Sequence, residues 1–187
     1  MIQFIAEHTV DTSLLKGGVC IDVGCLGFDF SNAMHDLGCE VWAFDIQNMN
    51  PKHEHIRFER AAISTSSGIA SYNEVSDKQA ANIISDGSIE VPRYSLNSVY
   101  EQIGKPIDIL KLDCEGSEYF ILSDFNFKPI PQQISVEFHE HCQKDLHNLL
   151  FDKCIENLLK YYNPIKMDRY AAHGAGFNYW DCLFVKK

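Results

Sequence analysis

The chain has 187 residues, 45% of them hydrophobic and 22% charged, with 16 basic against 26 acidic side chains and a formal net charge of −10. A chain this long buries roughly 70% of its unfolded surface in one domain. Its composition excludes a disordered polymer, and no apolar run is long enough to span a bilayer. The negative charge weighs against a nucleic-acid backbone or an anionic membrane as partner, because like charges repel at long range, and points to a small molecule or a protein.

The opening "MIQFIAEHTVDTSLLK" lacks the basic and long apolar regions of a signal peptide, which predicts a cytoplasmic location. Residues 1–17 read as a short leading helical segment. The seven cysteines, odd in number and without a CxxC pair, read as reduced thiols. "GGVCIDV" is a first buried strand, and "DFSNAMHDL" a short helix stopped by Gly38. "CEVWAFD" is a second strand ending in Asp45, and "IRFERAAIS" a third. Residues 64–94 are polar and turn-rich, an excursion of short strands and loops. "SLNSVYEQI" places Leu96, Val99, Tyr100 and Ile103 at helical spacing behind a Ser95 cap. "IDILKLD" is the most strongly buried strand, "EGSEYFILSDF" begins a helix, and "QISVEFH" is another strand. Residues 143–162 carry the longest helical pattern, and "NPIKM" and "FNYWDCLFVKK" close the chain as two strands.

Strands and helices in alternation predict one α/β domain over 1–187, Rossmann-like, with a mostly parallel sheet covered by helices on both faces. Ligands of such sheets bind beyond the carboxyl ends of the strands. Asp22, Asp45, Asp113, Glu115, Glu137 and His139 all fall at or just past strand ends, so they are expected to share one rim. Gly24 and Gly27 after the first strand suit a backbone that turns tightly against a ligand. Asp45 follows Gly24 by 21 residues, the interval at which an acid accepts hydrogen bonds from a ribose. Asp22, directly before the turn, would repel a pyrophosphate and attract a cationic amino-acid portion. That charge pattern favours S-adenosylmethionine over a dinucleotide.

With "CIDVGCLGFDFS", "FERAAISTSSGIASY", "IDILKLDCEGSEYFIL", "QISVEFH" and "FNYWDCLFVKK", the chain resembles the FkbM-type S-adenosylmethionine-dependent methyltransferases over residues 18–187. The resemblance implies a class I methyltransferase fold, a seven-stranded sheet whose last strand is antiparallel, and O-methylation of a small molecule or glycan. It also implies a cofactor loop of Asp22, Gly24, Cys25, Gly27, Phe28 and Ser31. Asp45 and Ile46 would lie at the ribose, Ala61 and Ala62 near the adenine, and Asp113 at the methyl end. Phe28 stands where the family has its second loop glycine, and Asn97 where it often has an acid.

Methyl transfer to an alcohol requires alignment and loss of a proton. Asp113, Glu115 and His139 are the catalytic candidates. Either His139 or Asp113 is a general base, the preferred reading, or the carboxylates with Glu137 and His139 hold a divalent ion. Each residue also has a structural role to weigh. Glu118 can support a helix N-terminus, Lys111 can be an interior ion-pair partner, and Glu137 can pair with a buried base. His141 and Cys142 read as loop, Phe177, Tyr179 and Trp180 as core or substrate wall, and His173, Gly174 and Gly176 as a hairpin turn. The rivals are a non-catalytic cofactor-binding module and a nicotinamide-dependent oxidoreductase. The latter is opposed by Asp22. The short leading segment leaves the site either open to a large acceptor or closed by a second subunit in a homo-oligomer.

Overall fold

The computed structural model describes residues 1–51, 53–73, 87–126, 128, 130–140, 144–171 and 178–187. His141, Cys142, His173, Gly174, Gly176 and Phe177 lie outside them.

The elements in chain order are β1 (Ile2–Ile5), β2 (His8–Asp11), β3 (Val19–Val23), α1 (Asp29–Asp36), β4 (Glu40–Asp45), β5 (Ile56–Arg60), β6 (Ala62–Ser64), β7 (Gly68–Tyr72), β8 (Ile89–Ser95), α2 (Leu96–Ile103), β9 (Ile107–Leu112), α3 (Ser117–Ser123), β10 (Gln133–His139), α4 (Lys144–Leu159), β11 (Tyr162–Ala171) and β12 (Asn178–Lys186). A seven-stranded sheet runs β11-β12-β10-β9-β3-β4-β5. Its β10, β9, β3, β4 and β5 are parallel, while β12 lies antiparallel between β10 and β11. Every residue of β3 and β9 is buried, as central parallel strands require. Ser95 caps α2 by accepting a hydrogen bond from the Ser98 N–H at 3.1 Å, as its sequence predicts.

Alternation along the strands divides the sheet into two unlike faces. One carries Ile21, Val23, Leu110, Leu112, Val136 and Phe138 against α2, α3 and α4, the main apolar core. The other packs Cys20, Val41, Ala43 and Ile109 against Phe30 and Met34 of α1 and against Val10 of β2. Further along, this second face turns polar. Gln133 Oε1 accepts from the Asp11 N–H at 2.8 Å, its Nε2 donates to the Asp11 carbonyl at 3.1 Å, and Thr9 Oγ1 donates to Asp181 at 2.9 Å.

Three expectations need correction. Residues 1–17 form a β-hairpin followed by a 3-10 turn, not a helix. Ile2, Ile5, Thr9 and Val10 are β-branched, which favours strands. The reversal is made by Ala6 and Glu7 at φ 44° and 69°, residues that carry no turn signal in a sequence. This hairpin covers the β10–β12 part of the second face, so helices do not clothe both faces alone. The third-strand segment divides at Ala61. Its first half, β5, ends the large sheet, and β6 opens a separate three-stranded sheet, β6-β8-β7, that takes in the described parts of the polar excursion.

The described cysteines, Cys20, Cys25, Cys39, Cys114, Cys154 and Cys182, are all free thiols. No helix among the described residues is long and apolar enough to cross a membrane.

Candidate active site

The carboxyl ends of β3, β4, β9 and β10 open into a cavity of about 470 Å³. Its walls are the loop after β3, the turn after β9, the segment 61–63 and the tip of the β1–β2 hairpin. Parallel strands point these ends the same way, so acids far apart in the chain meet here. The size lies within the range of small-molecule sites. Gly24 makes the cradle possible. At φ +79° its backbone lies so close to β9 that a Cβ would fall 1.7 Å from the Asp113 carbonyl oxygen. Its N–H donates to the Phe44 carbonyl at 2.9 Å and its own carbonyl accepts from Lys111 Nζ at 2.5 Å.

Lys111 is the electrostatic centre. Only 3% exposed, its ammonium lies 3.1 Å from Asp22 Oδ1 and 3.3 Å from Asp113 Oδ2. Burial would lower its pKa, but the two carboxylates outweigh burial and keep it charged above its ordinary value. Asp22, fully buried, also accepts from Ser31 Oγ at 2.6 Å. Burial would raise Asp113, yet Lys111, His8 and His139 hold it well below the carboxylate range. His8 Nε2 lies 3.3 Å from Asp113 Oδ2, and His139 Nε2 lies 3.4 Å from its Oδ1. Burial opposes charge on His139 as well, but Glu118, 2.6 Å from Nδ1, with Asp113 and Glu115, raises it to about 10. Glu137 is raised to about 8 by burial and by Asp113. Asp45 is raised to about 6 chiefly by burial, against the Gln47 N–H that donates to it at 2.8 Å.

Asp22, Gly24, Cys25, Asp45, Ile46, Ala61, Ala62, Asp113, Glu115 and His139 all line the cavity. Gly27, Phe28 and Ser31 do not. Ser31 acts behind the wall through Asp22. Phe28 takes the left-handed conformation at φ 62°, which explains why a glycine is expected there, and its ring packs edge-on to Phe58 at 5.3 Å. The charge of Asp22, read as attraction for a cationic cofactor, is answered by Lys111 and Ser31. Held protonated, His139 donates hydrogen bonds at neutral pH, and Asp113, held ionised, accepts them. Glu118 does more than support α3. It is fully buried, accepts from the Gly116 N–H at 2.6 Å and fixes the His139 ring. Tyr179 stacks on Tyr170 and Trp180 donates to Glu140, both away from the cavity wall.

Sequence reasoning missed Glu7, His8, Phe30 and Gln47, which also line the cavity. The β-branched Thr9 and Val10 in "HTVD" are the signal that could have placed His8 on a strand, though not over Asp113. Lys111, a charge inside an otherwise apolar strand, was legible as an ion-pair partner, and the structure supplies that pair.

Among curated proteins, none matches this chain. In solved structures the chain is similar to the Burkholderia thailandensis 1,6-didemethyltoxoflavin-N1-methyltransferase with bound 1,6-didemethyltoxoflavin and S-adenosylhomocysteine. The likeness has 16% identity and a TM-score of 0.44, and covers 90% of this chain and 71% of that one. The family model of the methyltransferase FkbM domain matches residues 26–160, most of the chain, and takes in β4, β9 and β10. FkbM methyltransferases use S-adenosylmethionine. On that match, the chain belongs to the FkbM methyltransferase family.

Proposed function

We propose that the protein transfers a methyl group from S-adenosylmethionine to a hydroxyl oxygen of a small molecule or sugar. The observation that carries this reading is the meeting, in one cavity, of the Gly24 cradle and Asp45 with the Asp113, Glu115, Glu137 and His139 cluster. The cofactor would supply an electrophilic methyl on a sulfonium. Asp45 and the 61–62 backbone segment suit its nucleoside, and Gly24 lets it approach the sheet closely. Asp113 accepts a hydrogen bond from the acceptor hydroxyl and takes its proton only as the C–O bond forms and the methyl–sulfur bond breaks, when the alkylated oxygen is more acidic than even this depressed carboxyl. His139, fixed by Glu118, keeps the Asp113 carboxylate in place.

Two measurements test this. Calorimetry is expected to detect binding of S-adenosylhomocysteine, and binding of NAD with neither form of the methyl cofactor would overturn the reading. With hydroxylated acceptors, Asp113→Asn is expected to lower kcat by about 10²-fold while affinity for S-adenosylhomocysteine stays within a few-fold. Normal turnover by that variant would remove Asp113 from its role.

The Asp45 assignment makes a separate prediction. In the empty protein its carboxyl is raised to about 6, so it is protonated below that pH. Ribose hydroxyls donate to the ionised form, and binding therefore expels the proton. Affinity falls as pH drops through 6, by about tenfold between pH 7 and pH 5 if the bound carboxylate returns to its ordinary value. Asp45→Asn should flatten that dependence and weaken binding at pH 7 by about 1 kcal/mol or more. A profile equally steep in both proteins would show that Asp45 does not meet the ribose.

A further inference from the structure

We propose that the cavity holds one divalent cation of the oxygen-preferring class, Mg²⁺ or Mn²⁺, with His8, Asp113 and Glu137 as ligands and the β1–β2 hairpin as an integral part of the site. Each of these residues brings a ligand atom within 4.8 Å of the others. Asp113, Glu115 and His139 do the same, so Asp113 belongs to both sets. Carboxylate oxygens with one imidazole suit Mg²⁺ and Mn²⁺.

His8 is built as a ligand. His8 is 2% exposed, its Nδ1 lies 3.4 Å from Ser135 Oγ, and its ring stands edge-on to Phe30 at 5.4 Å. That fixes the ring with Nε2 directed at Asp113 Oδ2. His139 stands on the other side of Asp113, with the fully buried Glu118 on Nδ1 and Nε2 directed at Asp113 Oδ1, where it holds the carboxylate without joining the ligand set. Two rings, one from the leading hairpin and one from β10, thus converge on the two oxygens of one carboxylate. Glu137 approaches from β10, its Oε1 3.7 Å from His139 Nε2. The surface histidines His35, His53 and His55 offer a contrast. Their rings lie within 5.4 and 6.1 Å of His35, but they form no set of converging ligand atoms among the described residues.

A cation here would sit at the methyl end of the cofactor site, where it could bind the acceptor oxygen and make its proton easier to lose. This role rests on the methyltransferase reading, whereas the binding itself does not. The full chain, stripped with EDTA and without cofactor, is titrated with Mn²⁺ by calorimetry and, in parallel, with S-adenosylhomocysteine in EDTA. One Mn²⁺ per chain is expected. His8→Ala and Glu137→Gln should each weaken it at least tenfold, with thermal unfolding showing that each variant is folded. His35→Ala should leave it unchanged. No saturable Mn²⁺ binding, or binding that survives both His8→Ala and Glu137→Gln, or binding lost with His35→Ala, would overturn the proposal. Binding of S-adenosylhomocysteine together with no saturable binding of Mn²⁺ would remove the metal and leave the methyltransferase reading standing. Mn²⁺ binding with no methyl-cofactor binding would do the reverse.

Discussion

Replacing Lys111 by Met is expected to lower the free energy of unfolding by about 3–5 kcal/mol, the usual cost of stripping one partner from a buried ion pair. Lys111 answers Asp22 at 3.1 Å, Asp113 at 3.3 Å and the Gly24 carbonyl at 2.5 Å. Asp113 retains His8 and His139, and its side chain is 27% exposed, so it tolerates the loss. Asp22 does not: it is fully buried, and only Ser31 Oγ remains. The second substitution Asp22→Asn, made in the Lys111→Met protein, should restore part of the stability because it removes the orphaned charge. A double-mutant cycle in urea measures this coupling. A loss below about 1 kcal/mol in the single variant, well short of the range for buried pairs, would mean that water reaches Asp22 and that the pair is not the centre of the site.

The second large effect is expected for Gly24→Ala. The left-handed backbone alone costs about 1 kcal/mol for a residue with a Cβ. The added carbon would fall 1.7 Å from the Asp113 carbonyl oxygen, where backbone meets backbone and neither side can swing away. The loop must then lift from β9, breaking its bonds to Phe44 and Lys111 and displacing the cradle. A shift near 1 Å is enough to slow methyl transfer by about 10²-fold, and the displaced cradle should weaken S-adenosylhomocysteine binding as well. Gly27→Ala is the control. It shares the φ of +79°, but its Cβ would meet nothing within 4 Å, so only the conformational cost of about 1 kcal/mol should appear. Equal effects of the two substitutions on binding would show that the close approach of Gly24 to β9 is not what shapes the site.

Much of this protein was readable in its sequence, for local reasons. A short run as rich in Ile and Leu as "IDILKL" reads as a buried central strand in spite of its two charges, and Ser95 and Gly104 mark the ends of α2 through their own capping chemistry. Because parallel strands all present their carboxyl ends to one side, the acids after β3, β4, β9 and β10 had to share a rim wherever the strands fell in the sheet. What the sequence could not determine depends on contacts between distant segments. Alternation says that Asp22 and Lys111 each point away from the main core, but not that they point at each other across 89 positions. Nor does it say that a hairpin turning on Ala6 and Glu7 lays His8 over Asp113, 105 residues away. The proton states were equally hidden, since burial and neighbouring charge, which carry His139 to about 10 and Asp45 to about 6, exist only once the faces have packed.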